Sequence, residues 1–66
     1  MTSYYVNQNA QTNGDHEVHT ATCVYQRSHM QYLGEFPTCE GAVRAAKQHY
    51  PQSNGCYTCS KPCHTT

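Results

Sequence analysis

The chain has 66 residues, a formal net charge of zero from four basic and four acidic side chains, five Cys, five His and six Tyr. One domain is all this length accommodates, and a chain so short buries only about 60% of its unfolded surface. Neutral charge leaves no electrostatic footprint for nucleic acid, and no run approaches the length of a membrane span.

The apolar content is poor even for this size. There is no Ile and no Trp, Leu33 and Phe36 stand alone of their kinds, and the Val residues are Val6, Val18, Val24 and Val43. Low aliphatic content points toward disorder, yet disorder normally accompanies high net charge and few aromatics. A chain of this kind folds with a staple, either metal or disulfides. The opening MTSYYVNQNAQTNGD shows no basic, apolar or small-residue leader pattern. A cytoplasmic setting is therefore expected, where thiols stay reduced and Cys clusters serve metals or redox chemistry. An odd cysteine count also fits poorly with a fully paired framework. The balance favours metal.

In chain order, SYYVN (Ser3 to Asn7) has strand-forming Tyr and Val. Asn7 to Asp15 is turn-rich, and Asn13-Gly14 is a hairpin signal. HEVHTATCVYQ alternates as a second strand, with Glu17, His19, Ala21, Cys23 and Tyr25 on one parity and His16, Val18, Thr20, Thr22 and Val24 on the other. QRSHM is expected to turn and QYLGEF to form a short third strand. After Pro37 the period changes. Thr38 is the expected N-cap and Glu40 lies in the first turn, while Cys39, Ala42, Val43, Ala46 and Tyr50 share one helical face that Pro51 ends. PQSNG then turns the chain into a Cys-rich tail. The expectation is an α+β domain over residues 1–66, a short antiparallel sheet of two to three strands with one helix and a C-terminal knuckle.

That knuckle carries the chemistry. Cys56-Tyr57-Thr58-Cys59 is a CxxC, a spacing at which a tight turn brings two thiolates to one ion. Zinc takes such thiolates together with His nitrogen in tetrahedral sites, so two more ligands are needed. His19 and Cys23 are the favoured distant pair. In a straight strand they would stand about 13 Å apart at roughly 3.3 Å per residue. Both can serve one ion only if the chain turns at Thr20-Ala21-Thr22. If it runs straight, Cys63 or His64 would complete the set.

His19-x3-Cys23, then strand and helix, then Cys56-x2-Cys59 resembles the metal-binding domain of the Ada-type DNA alkylation-repair proteins, over Tyr5 to Cys59. The resemblance implies a small α+β zinc module. His19 stands where those proteins carry the cysteine that accepts a methyl group, so their transfer chemistry is expected to be absent. The gap between pairs is longer here, and Cys39, Cys63 and His64 have no counterpart. More generally the chain is similar to small Cys/His-rich bacterial proteins, a likeness that implies no function.

Other readings fare less well. Ser60 follows Cys59, which excludes a C-x-x-C-H haem site, and Cys56, Cys59 and Cys63 match no ferredoxin run. A redox CxxC would open a helix after a strand, whereas this one follows the last helix. Asp15, Glu17, Glu35 and Glu40 are scattered, and no hydrolytic constellation exists. Cys39 is expected to pack on the helix face, with a reactive thiol or a bridge to Cys63 as alternatives. His16, on the opposite parity, is expected to be solvated or hydrogen-bonded, and His29 and His49 to be surface residues. The expected function is a structural Zn²⁺ module of an interaction or accessory protein, not an enzyme, with an unidentified protein partner. The alternatives are a disulfide-stapled protein without metal and, third in order, an enzyme or thiol-reactive sensor using Cys39 or Cys23.

Overall fold

The computed structural model describes residues 1–23 and 29–65. Three strands, a helix and a fourth strand follow in order: β1 (Thr2–Asn7), β2 (His16–Thr20), β3 (Met30–Phe36), α1 (Cys39–Ala46) and β4 (Ser53–Gly55), before a 3₁₀ turn at Lys61–Cys63. They form one four-stranded sheet of order β3-β1-β2-β4. β1 pairs antiparallel with both β2 and β3, whereas β4 pairs parallel with β2. The sheet is thus mixed and one strand larger than the two to three antiparallel strands expected from sequence. The extra strand, Ser-Asn-Gly, is composed like a turn and is too short to show a period. Its residues are all buried, so the fold and not local propensity makes it a strand.

Alternation builds the core. Tyr4 and Val6 of β1 and Val18 of β2 point to the face on which α1 lies, where Cys39, Ala42 and Ala46 meet them. Val6, Val18, Ala42 and Ala46 are fully excluded from solvent. Two alanines on the buried stripe let the helix approach the sheet closely, and Leu33, Phe36, Val43, Tyr50 and Cys63 pack around the margin. Tyr5 and Tyr32 tilt against each other across β1 and β3, with centroids 5.2 Å apart.

Between β1 and β2 the chain loops more widely than a two-residue hairpin. Gly14 has φ 93° and its N–H donates to the Gln11 carbonyl at 2.8 Å, while the Asn13 side chain accepts from the Asp15 N–H at 2.9 Å. His16 donates from Nδ1 to the Asn7 carbonyl at 2.9 Å and stacks on Tyr50 at 4.1 Å.

Two helix expectations need correction. Thr38 has the extended backbone of an N-cap, but its side chain makes no capping bond. The α-helix ends at Ala46, ahead of Pro51, and Tyr50 lies beyond it; Gln48 and His49 donate to the Ala45 and Ala46 carbonyls in tighter turns. The second strand also ends early, at Thr20. Its expected continuation through Val24, Tyr25 and Gln26, and the expected turn through Ser28, lie outside the described residues.

The tail is held by a disulfide between Cys39, the first residue of α1, and Cys63. At a sequence separation of 24, such a bridge stabilises the fold by about 3 kcal/mol in the chain-entropy account. Folding back also brings the tail onto Gly55. A Cβ there would meet Cys63 Cβ and the Ser60 carbonyl oxygen, each at 2.7 Å. Because one obstacle is backbone, Gly55→Ala is expected to cost about 1–3 kcal/mol, measured by urea denaturation. A midpoint unchanged from the parent would contradict the packing described.

Candidate metal centre

The turn that a shared metal site requires is present. Ala21 makes a ladder bond to the Ser3 carbonyl at 3.1 Å, and Cys23 N–H then donates to the Thr20 carbonyl at 3.2 Å. The chain reverses across Thr20-Ala21-Thr22, so Cys23 comes back toward His19 instead of standing a strand length away.

The parallel register delivers the other pair. Val18 lies beside Gly55, and the Cys56 N–H donates to the Val18 carbonyl at 3.0 Å. One step further along both strands, Cys56 is therefore level with His19. A bond from the Ser60 N–H to the Cys56 carbonyl at 2.9 Å closes the knuckle. Cys59 returns over the end of β2, where the Thr20 N–H donates to its sulfur at 3.3 Å. Ligand atoms of His19, Cys23, Cys56 and Cys59 all lie within 4.8 Å of one another. Residues far apart in sequence are gathered by one short ladder.

The distances suit a four-coordinate ion. Cys23 Sγ and Cys56 Sγ are 3.8 Å apart, as are Cys59 Sγ and His19 Nδ1. Tetrahedral zinc with Zn–S near 2.3 Å requires a sulfur–sulfur edge of about 3.8 Å. Three sulfurs and one imidazole nitrogen form a donor set that can hold a metal ion.

Sequence reasoning missed the environment of His19. The residue is 1% exposed, and its Nε2 lies 3.3 Å from a Glu17 carboxylate oxygen. Nε2–H donates to Glu17, which leaves the Nδ1 lone pair facing the sulfurs and fixes the tautomer a ligand needs. The i, i+2 spacing of Glu17 and His19 on one strand face was the available signal. Burial alone would push the Cys59 thiol up. Hydrogen bonds from the Cys23 thiol, the Thr20 N–H, the Ser60 hydroxyl and the Cys56 thiol together bring it below its ordinary value. Burial, joined by the Cys59 charge, raises the Tyr4 phenol.

The secondary candidates stand elsewhere. Cys39 and Cys63 are consumed by their disulfide. His64 places Nδ1 3.0 Å from the Gly55 carbonyl and stands edge-on to Tyr57 at 5.4 Å. Its role is to tie the tail to β4. Cys23, Cys56 and Cys59 take no part in a disulfide.

Fold and site together define a small α+β protein with one disulfide and a Cys/His cluster able to hold a metal. Family models, curated proteins and solved structures contain no match to this chain.

If Glu17 orients the imidazole, Glu17→Gln should weaken metal binding by about 10–100-fold, the usual effect of removing such a support. Competition with a chromophoric chelator measures it. An affinity equal to the parent's would contradict the role given to the carboxylate.

Proposed function

We propose that His19, Cys23, Cys56 and Cys59 bind one Zn²⁺ as a structural site, and that the protein is a binding module and not an enzyme. The observation that carries this reading is the convergence of one imidazole and three thiols within 4.8 Å. The softness of the donors favours zinc over magnesium or calcium, which prefer oxygen. Four protein ligands leave no open position for substrate or water, as in structural zinc sites. The ion joins the end of β2 to the tail, and its binding free energy is folding free energy.

A partner for such a module would be a protein. The balanced charge offers no general attraction for nucleic acid. Among the described residues, Tyr57 on the knuckle is a large side chain left 60% exposed, with the Lys61 ammonium 5.3 Å from its ring. No helix among the described residues is long and apolar enough to cross a membrane.

A second reading has one observation in its favour. Cys23 Sγ and Cys56 Sγ, 3.8 Å apart, are near enough to close a second disulfide after a small shift, giving a metal-free stapled protein. The two readings differ in stoichiometry. The zinc module should carry one equivalent of metal and three titratable thiols after denaturation, and should lose its circular dichroism on chelation. A single thiol, no metal and indifference to chelator would establish the stapled protein instead.

A further inference from the structure

We propose that the Cys39–Cys63 disulfide controls the affinity of the metal site, so that a dithiol reductant opening it promotes metal release. This rests on reading the His19, Cys23, Cys56 and Cys59 cluster as a metal site.

The tail that supplies Cys56 and Cys59 is clamped at two ends. On one side is the three-residue ladder of β4 against β2. On the other, Cys63 is bonded to Cys39, whose helix packs its buried face on Tyr4, Val6 and Val18. Beyond the ladder, the Thr20 N–H donates to the Cys59 sulfur at 3.3 Å, His64 meets the Gly55 carbonyl at 3.0 Å and the Thr65 N–H donates to Asn54 Oδ1 at 3.0 Å. These bonds tie the tail to β2 and to itself, and none of them reaches α1. Cys59 lies between the two clamps. Opening the disulfide removes the tail's covalent tie to α1 and leaves the thiolate pair presented to His19 and Cys23 by the short ladder and its few hydrogen bonds, at a lower effective concentration.

The two sulfurs are unequal in a way that suits reduction. Cys39 is 6% exposed, whereas Cys63 is half-buried and borders a depression of about 400 Å³ beside Arg44 and Lys47. An incoming thiolate therefore attacks Cys63 Sγ. The Cys39–Cys63 bond breaks, and its electron pair leaves on Cys39, the first residue of α1. The reductant's second thiolate attacks its own sulfur in the mixed disulfide and expels Cys63 as thiolate. The reductant leaves oxidised to a disulfide, two electrons have passed to the protein, and its two new thiolates take up protons from solvent.

Zinc affinity of the full chain, measured by chelator competition in the oxidised form, after reduction and in a Cys39→Ser/Cys63→Ser double variant, tests this. Reduced protein and variant should each bind one zinc with at least tenfold weaker affinity than the oxidised parent. Linkage requires the reciprocal effect, so zinc should lower the disulfide's potential by about 30 mV for each tenfold of coupling. The potential is read on the parent alone and does not depend on the variant folding. Equal zinc binding by the reduced parent with an unmoved potential, or tighter binding with a raised one, overturns the inference and leaves the metal site standing. Zinc binding in neither form overturns both.

Discussion

The structure depends on the parallel pairing of β4 with β2. Three residue pairs, His16 with Ser53, Glu17 with Asn54 and Val18 with Gly55, set the level at which the tail meets the sheet. A shift of one residue would carry Cys56 away from His19 and reverse which side chains face the core. Gly55 is where the tail crosses itself, with Ser60 and Cys63 so near that only a hydrogen fits. Register and close approach together place the Cys56 and Cys59 sulfurs against the end of β2.

A ladder this short does not hold a tail by itself, and the core behind it is small. Among the described residues, its fully buried apolar side chains are two valines and two alanines, Val6, Val18, Ala42 and Ala46. Cross-links carry what burial does not. The disulfide ties the tail to α1, and the cluster joins the same tail to β2. Glu17 adds direction by holding Nε2 of His19. Nδ1 of the same ring lies 3.8 Å from the Cys59 sulfur, which also accepts from the Thr20 N–H and meets the Ser60 hydroxyl, and the group can hold a metal ion.

Much of this was legible in the residues themselves. The CxxC and the His19–Cys23 spacing named the four cluster residues, and strand geometry said where the chain must turn for them to meet. Alternation in β1 and β2 and the small-residue stripe of α1 identified the core. β4 escaped because Ser-Asn-Gly has turn propensity and becomes a strand only by docking between the helix and β2. The early end of α1 escaped because face periodicity continues to Tyr50 while the backbone tightens after Ala46. The Cys39–Cys63 bridge was one alternative among several, since spacing alone does not reveal which sulfurs meet.

Zinc K-edge X-ray absorption of the zinc-loaded, disulfide-intact protein tests the central claim most directly. The account predicts a four-coordinate ion with three sulfurs at about 2.3 Å and one imidazole nitrogen at about 2.0 Å. A first shell of nitrogen and oxygen, or one with fewer than three sulfurs, would contradict it.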